Sequence, residues 1–435
     1  MVKLRRLLME KYRIVKPGTE LSFNDGYNVL LGINGTGKTT LLNLIAMCLS
    51  ASFPGLEEEE FALKYELTIP EGSLQVHVRH QRIESDEPLE PIEHRKPNLA
   101  SSVDLEFSSQ TEAWKSFRLS LSQGRLSLDG ELLNPTRTVE ISLFEGESFV
   151  TQMFARSELL TRSRKPRPRF VVLGASFEQR QAYCRFDEAA EWLKEVLNEG
   201  SLTLISLDDG PVGQWKLKRM AAPLVLAMQS LVADRTQPSA DLPQAEVFTF
   251  RHHELPFLAQ AVRSFNFENA TLHLELESVE RYPTRENHFS KLLTFGNLRF
   301  FFTKQDGSRL PLDRLSFGQK RLVAFYYYLA TYHSVLIADE LANGMHHAMI
   351  DDCLQAAGER QKFLATQNPL LIDHVPLGSA QEVRSTFIRC SLATDGPREQ
   401  MVWSSLTEEE STEFFKDYEV GIQHTNDILR LRGLW

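Results

Sequence analysis

The chain has 435 residues, of which 42% are hydrophobic and 24% charged, so it is long and apolar enough to bury a large core. Its formal net charge of −10 argues against a molecule that is basic throughout, and a contact with nucleic acid would need a local basic patch. No run of about eighteen apolar residues occurs, so the sequence predicts neither a membrane span nor a membrane partner.

Cysteine usage indicates the compartment. The four cysteines, Cys48, Cys184, Cys353 and Cys390, are scattered without the C-x-x-C spacing that zinc sites use, and no apolar leader opens the chain. We therefore expect a reducing, cytoplasmic location and no structural zinc.

The first segment that carries a motif has the pattern of a strand, a loop and a helix. Tyr27–Leu31 is an apolar run that ends at Gly32. Lys38–Leu49 is apolar on most faces and lacks Gly and Pro, as in a helix packed on both sides. The sequence that joins them predicts a phosphate-binding loop and reads Gly32-Ile33-Asn34-Gly35-Thr36-Gly37-Lys38-Thr39.

A loop of this kind wraps phosphate because glycines let successive backbone N–H groups converge on the oxygens, while the next helix presents its positive end. Lys38 is predicted to reach the β- and γ-phosphates of ATP, in a catalytic role as well as a binding one, and the Thr39 hydroxyl is predicted to bind Mg²⁺. The predicted nucleotide contacts in this segment are Asn34, Gly35, Thr36, Gly37, Lys38, Thr39 and Thr40.

The middle of the chain changes its pattern twice. From Leu67 to about Leu133 apolar and polar residues alternate, which predicts an antiparallel meander. A stretch rich in Arg and Pro follows at 162–169, and beyond it Glu178–Glu199 and Leu217–Val232 have helical patterns. We interpret this region as an inserted lobe.

Strands return before the second motif, where Asn297–Thr303 faces Leu310–Leu312 across the turn Asp306-Gly307. The predicted organisation is therefore one core interrupted by the lobe. The N-terminal part of the core spans 1–150, the mainly helical lobe spans 151–265, and the C-terminal part of the core spans 266–435.

The second motif is Leu315-Ser316-Phe317-Gly318-Gln319-Lys320-Arg321, and a helix is predicted from there to about Tyr332. Ser316 and the backbone N–H of Gly318 lie at the N-terminus of that helix, which is an anion site. We assign Ser316, Gly318 and Gln319 to the nucleotide, with Ser316 also in a catalytic role. The alternative is that Ser316 simply caps the helix, a position at which serine is favoured.

The third motif is the apolar run Val335–Ala338, which ends in Asp339 and Glu340. Many buried strands end in an acid, so this pair alone does not indicate a nucleotide site. Together with the glycine loop, it does. Asp339 is predicted to join Thr39 at Mg²⁺, and Glu340 to orient or deprotonate the attacking water.

The last candidate is Gln367, which follows the short strand Phe363–Thr366. A glutamine can donate a hydrogen bond to a γ-phosphate but does not titrate near pH 7, so it can sense nucleotide without proton chemistry. His346 and His347 are adjacent and point apart on a helix or strand, which favours a capping or interface role over a joint metal site.

These motifs resemble those of the ABC superfamily, in particular its SMC/RecF/OLD branch, whose compact members are often described as AAA-type ATPases of bacterial defence islands. The resemblance covers Leu4–Ala51, Gly296–Asp373 and the closing residues Asn426–Trp435. It implies an α/β fold: a P-loop core of mixed sheet and flanking helices, with an antiparallel meander and the inserted lobe. In ABC-type proteins the signature faces the γ-phosphate of the other subunit, which implies a homodimer or higher homo-oligomer.

The same family senses the γ-phosphate with a glutamine on a separate loop, for which Gln75, Gln81 and Gln152 remain alternatives. Gln367 stands where ABC proteins keep the switch histidine, and the resemblance assigns it the corresponding catalytic position. Recurrent prolines exclude a long coiled coil, and about sixty residues after Asp373 are too few for the Toprim nuclease that OLD relatives carry.

The resemblance therefore points to an ATP hydrolase that switches a separate effector, a nuclease or toxin, as PtuA and AriA do in two-gene anti-phage systems. The alternative is a RecF-like ATPase of DNA repair, with DNA as the partner. The DNA-repair alternative depends on five cationic residues that could bind phosphates or lie in a solvated loop: Arg162, Arg164, Lys165, Arg167 and Arg169. A transporter subunit fits poorly, because the insertion is long and the switch histidine is missing.

Overall fold

The computed structural model divides the chain into two compact units. The first consists of Met1–Tyr183, Ser334–Glu340 and Glu359–Trp435, and the second of Cys184–His333 and Leu341–Gly358. The structure describes residues 2–50, 53, 55–56, 58–69, 72–82, 99–110, 116–122, 125–133, 185–200, 202–206, 215–217, 246–285, 288–331, 335–393, 399–421 and 424–434.

Strands and helices are numbered along the described residues. The strands are β1 (Lys3–Tyr12), β2 (Thr19–Ser22), β3 (Tyr27–Leu31), β4 (Phe61–Ile69), β5 (Gly72–Arg82), β6 (Leu99–Ser109), β7 (Phe117–Ser122), β8 (Arg125–Leu128), β9 (Glu131–Leu133), β10 (Leu202–Ser206), β11 (Trp215–Leu217), β12 (Glu246–Arg251), β13 (Asn269–Arg285), β14 (His288–Thr303), β15 (Arg309–Pro311), β16 (Val335–Asp339), β17 (Gln361–Ala365), β18 (Phe387–Ala393) and β19 (Gln400–Ser405). The α-helices are α1 (Lys38–Ser50), α2 (Phe186–Glu199), α3 (Pro256–Ser264), α4 (Phe317–Thr331), α5 (His347–Ala357), α6 (Pro369–Asp373), α7 (Ala380–Thr386), α8 (Glu408–Val420) and α9 (Thr425–Leu431).

A five-stranded sheet in the first unit positions the candidate site. Its order is β16-β17-β3-β18-β19, with the first four strands parallel and β19 antiparallel to β18. Residues in β3, β16 and β17 are buried almost without exception, because helices cover a parallel sheet on both faces. The carboxyl ends of β16, β17 and β3 therefore meet at one edge, where open α/β sheets bind their ligands.

The second sheet of the first unit is an antiparallel meander in the order β2-β1-β4-β5-β6-β7-β8-β9. Burial alternates along β4 and β5, with Leu63, Tyr65 and Leu67 inside and their neighbours toward solvent. One hydrophobic core joins this inner face to α1 and to β16 and β17. The meander predicted from Leu67 to Leu133 is confirmed, and the structure starts it at Phe61.

The second unit is built on a sheet in the order β11-β10-β14-β13-β12, with β15 paired to β14. The hairpin predicted across Asp306-Gly307 is confirmed by the pairing of β14 with β15. Aromatic side chains fill the space between sheet and helices: the Phe257 ring of α3 lies 5.2 Å from Tyr327 in α4 and 6.0 Å from Phe300 in β14.

The structure describes part of each of the two helices predicted for the lobe. Helix α2 matches the end of Glu178–Glu199, while Leu217, placed at the start of a helix by its pattern, closes the strand β11 instead. It pairs with Leu204, so a partner strand overrides the local helical periodicity. Residues 218–232 lie outside the described residues. The boundaries at 150 and 265 stay predictions.

The α/β fold class is confirmed: a mostly parallel sheet carries the glycine loop, helices flank it, and an antiparallel meander adjoins it. Among the residues that the structure describes, no helix combines the length and the apolar character needed to cross a membrane.

Candidate functional site

The glycine loop leaves β3 at Gly32 and enters α1 at Lys38, as the sequence predicts. Gly32, Gly35 and Gly37 have φ angles of 145°, 85° and 85°, a region that residues with a Cβ rarely enter. A Cβ on Gly32 would also lie 2.3 Å from the carbonyl oxygen of Cys390 in β18. Glycine at this position is therefore required by the neighbouring strand as well as by the loop conformation.

The loop is held in shape by hydrogen bonds to its own carbonyls. Lys38 is buried, and its Nζ donates to the carbonyl oxygens of Gly32 at 2.7 Å and Ile33 at 3.0 Å. The Thr36 hydroxyl donates to Ile33 O at 2.8 Å. A lysine held by the backbone of a glycine loop is an arrangement suited to phosphate oxygens.

Cys390, which lies beside the glycine loop, adds no charge to it. Burial raises the pKa of its thiol to about 12, so it is protonated at neutral pH despite the nearby ammonium group of Lys38. The positive field of the loop is therefore left to Lys38 and to the N-terminus of α1.

Thr39 and Asp339 come together although 300 residues separate them in sequence. The Thr39 hydroxyl donates to Asp339 Oδ2 at 2.5 Å. Both groups offer oxygen ligands, which Mg²⁺ prefers, so Thr39 and Asp339 are the residues that would hold this ion. Thr40 follows in the first turn of α1, half-buried.

Glu340 and Gln367 lie at the ends of the adjacent strands β16 and β17. Glu340 has a φ of 51°, and its N–H donates to Ala365 O at 2.8 Å. Its carboxylate accepts from the backbone N–H of Gln367 at 3.1 Å. The Gln367 side chain in turn donates from Nε2 to Asn34 Oδ1 of the glycine loop at 2.5 Å. The structure thus joins the predicted base, the predicted sensor and the loop in one hydrogen-bonded series.

The signature motif belongs to the second unit, where Ser316 caps α4. Ser316 Oγ accepts from Gln319 N at 3.2 Å, and Gln319 Oε1 accepts from Ser316 N at 3.0 Å, which is a capping box. Gly318 packs closely on the loop that follows Glu340, since a Cβ there would lie 2.6 Å from Gly344 O. Phe317 is 66% exposed at the same helix end. Within this unit, the contacts of Ser316 are those of a helix cap, as the alternative interpretation has it. Its role toward nucleotide stays a prediction.

The structure assigns no role to the remaining candidates, which are glutamine, histidine, cysteine and basic residues. Gln75 and Gln81 lie in β5, while Gln152 and the basic run 162–169 fall outside the described residues. His346 occupies the N-cap position of α5 without a side-chain capping bond. His347 begins α5, with Nδ1 3.6 Å from Asp351. Cys48, Cys353 and Cys390 are free and buried.

Sequence reasoning missed Trp403, whose indole N–H donates to Thr36 O of the glycine loop at 3.1 Å. Met401, on the same strand, lies against Gly37. Nothing in the local pattern around β19 marks these two residues, because their partners are more than 360 positions away in the chain.

Two protein-family models match the segments that carry the motifs. A model described as an AAA domain matches residues 6–195. A second, whose description reads "AAA domain, putative AbiEii toxin, Type IV TA system", matches residues 217–373. The segments on both sides of the middle of the chain are therefore similar to AAA domains, in agreement with the glycine loop and the α/β fold.

Solved structures and curated proteins add little to this assignment. The SMC head domain from Thermotoga maritima aligns over 93% of this chain and 100% of its own, with 10% identity and a TM-score of 0.36. An Smc head domain with an extended coiled coil, bound to the C-terminal domain of ScpA derived from Pyrococcus furiosus, aligns over 96% and 100%, with 12% identity and a TM-score of 0.35. Likeness at these TM-scores carries no argument about function. No curated protein matches the chain.

Proposed function

We propose that this protein binds and hydrolyses Mg-ATP as an ABC-type ATPase and uses the cycle to switch a partner protein. The observation that carries the proposal is the series from Asn34 through Gln367 to Glu340, beside the pair Thr39 and Asp339. Three strand ends thereby bring a glycine loop, the oxygens of Thr39 and Asp339 and the carboxylate of Glu340 to one edge of a parallel sheet, which supports the proposal.

Each side chain has a role that its position supports. Lys38 and the backbone N–H groups of the loop bind the β- and γ-phosphates and neutralise charge that develops as the terminal bond breaks. Thr39 and Asp339 would hold Mg²⁺, which would supply positive charge next to the phosphates. Glu340 accepts the proton of the attacking water, and Gln367 orients the terminal phosphate by a neutral hydrogen bond.

We further propose that two copies of the chain complete each other's sites. Ser316 and the Gly318 N–H lie at the positive end of α4, a helix of 15 residues, and the adjacent Phe317 is exposed. An anion at that helix end neutralises its dipole, and the γ-phosphate held by a second copy is such an anion. A two-fold arrangement makes both nucleotides part of the interface, so ATP drives association and hydrolysis releases it.

The partner is proposed to be an effector, a nuclease or a toxin, in bacterial anti-phage defence. Two observations support this setting: the resemblance of the motifs to ATPases of two-gene defence systems, and the toxin named in the description of the second family model. A DNA-repair role has no support among the described residues, since the basic run on which it depends lies outside them.

The test uses a variant that traps the ATP-bound state. Glu340→Gln keeps Lys38, Thr39 and Asp339, so it should bind Mg-ATP while its turnover falls about 100- to 10,000-fold, the usual contribution of a general base. Light scattering should report a mass that doubles with ATP. Unchanged turnover in Glu340→Gln would contradict the role of Glu340.

Adding Ser316→Arg to that variant places a bulky side chain at the helix end and leaves the glycine loop intact. ATP affinity should survive, and association should be lost. If the single and double variants show the same mass with ATP, nucleotide does not join two copies through Ser316.

Affinity capture from native cells with Glu340→Gln as bait and Lys38→Ala as control should enrich an effector only with the bait. Enrichment of DNA instead would favour the repair function.

A further inference from the structure

Trp403 reaches the glycine loop from the far edge of the parallel sheet. It lies in β19, which pairs with β18, and β18 pairs with β3. Its side chain is 2% exposed, and its indole N–H donates to the carbonyl oxygen of Thr36 at 3.1 Å in a buried hydrogen bond. Buried indole groups find such partners because an unpaired N–H away from water is unfavourable.

The acceptor belongs to the peptide unit that joins Thr36 to Gly37. Peptide bonds among the described residues are trans, so the carbonyl oxygen of Thr36 and the N–H of Gly37 point in opposite directions. The indole holds the oxygen on the side of β19. The Gly37 N–H therefore points away from β19, and glycine-loop amides that are free of the neighbouring strand are available to phosphate oxygens.

Packing prevents this peptide from turning over. Met401 and Trp403 are two residues apart in β19, so their side chains lie on one face of the strand. A Cβ on Gly37 would lie 2.4 Å from Met401 Sδ and 3.1 Å from Trp403 Cζ2, so both side chains lie against this glycine. Met401 is itself anchored, because its N–H donates to Ile14 O and its carbonyl accepts from Lys16 N, both at 2.9 Å.

We propose that Trp403 is a positioning residue of the nucleotide site: its indole N–H sets the Thr36–Gly37 peptide so that the Gly37 amide faces the phosphates. The inference rests on the proposed ATP-binding function and deepens it. Trp403 does not touch the nucleotide. It acts through the backbone of the loop, and Met401 supports it from the same strand.

Trp403→Phe is the test, because phenylalanine keeps most of the ring packing and removes the N–H. Affinity for ATP and for ADP, measured by calorimetry, should weaken about 5- to 10-fold, the effect of one net hydrogen bond. Trp192→Phe, a change of the same kind in α2 of the second unit, is the matched control and should bind as the wild type does. Equal affinity of Trp403→Phe and the wild type would overturn the inference while leaving the proposed function standing. A wild type that binds no nucleotide would overturn both.

A spectroscopic measurement on the wild type distinguishes positioning from simple stability. In the ¹⁵N-labelled protein, the indole N–H resonance of Trp403 should shift when Mg-ADP binds, since its acceptor belongs to the loop. Trp403→Phe identifies that resonance by its absence. Should this variant fail to fold, phenylalanine variants of the other tryptophans identify it by elimination: Trp114, Trp192, Trp215 and Trp435. A Trp403 resonance that stays in place at saturating Mg-ADP refutes the inference.

Discussion

Lys362 lies in β17, an inner strand of the parallel sheet, five residues before Gln367, with only 2% of its surface exposed. Its Nζ donates to Arg360 O at 3.0 Å and lies 4.5 Å from the centre of the Tyr27 ring. Burial lowers the pKa of its ammonium group from 10.5 to about 8, with a further contribution from the charge of Arg360. We predict that Lys362→Met stabilises the protein at neutral pH.

The magnitude follows from the pKa. A fall from 10.5 to about 8 corresponds to about 3 kcal/mol of preference for the neutral amine in the folded state. Below pH 8 both states carry the charge, so the folded state bears the whole cost, which declines as pH rises and disappears above 10.5. The contact with Tyr27 offsets about 0.5–1 kcal/mol, and it is lost in the variant. Lys362→Met should therefore raise the free energy of unfolding by about 1–3 kcal/mol at pH 7 and by far less at pH 10.5.

Urea unfolding of both proteins at the two pH values measures the effect, and comparing variant with wild type at each pH cancels other titrating groups. Lys64→Met is the matched control, because Lys64 lies on the exposed side of β4, 2.6 Å from Glu10. An equal effect of Lys362→Met at pH 7 and pH 10.5 would refute the reasoning, since it would mean that the charge of Lys362 costs nothing in the folded state.

Three further predictions concern the nucleotide site. Lys38→Ala should weaken ATP binding about 30- to 100-fold in calorimetry, because it removes a charge-assisted contact; a change below threefold would contradict the assignment of the loop. Gln367→Ala should lower turnover about 10-fold with less than a threefold change in ATP affinity, measured by phosphate release, and an equal loss in both would make Gln367 a binding residue only. Gly318→Val should lower the free energy of unfolding by about 1–3 kcal/mol, because its Cβ would lie 2.6 Å from Gly344 O; an unchanged thermal midpoint would show that the loop gives way.

Local chemistry explains why much of the site could be predicted. A run such as Val29–Leu31 is apolar because both faces of a parallel strand are buried, and glycines occupy the loop positions 32, 35 and 37, where φ is positive. Both properties are visible in the local sequence. The same holds for Ser316, whose capping bonds involve Gln319 three positions away.

Contacts between distant segments were not predictable. Gln361 is an example: it opens a strand that is buried throughout, and its side-chain amide bonds Leu4 N and Leu4 O at 2.8 and 2.7 Å. Its polarity would argue against a core position until its partner, 357 residues away, is known. Trp403 and Lys362 have the same character, because their surroundings come from strands that only the fold brings together.

The backbone conformation at Asp339 and Glu340 determines which residue each of the two acids can contact. Successive side chains of a strand point to opposite faces, so a strand that continued through both acids would direct them apart. The strand β16 ends at Asp339, and Glu340 takes a φ of 51°, a conformation that costs a non-glycine residue about 1–2 kcal/mol. The hydrogen bonds of its N–H to Ala365 O and of its carboxylate to Gln367 N offset that cost. Asp339 can thus contact Thr39 while Glu340 contacts Gln367, and one sheet edge receives both carboxylates because the left-handed residue interrupts the alternation.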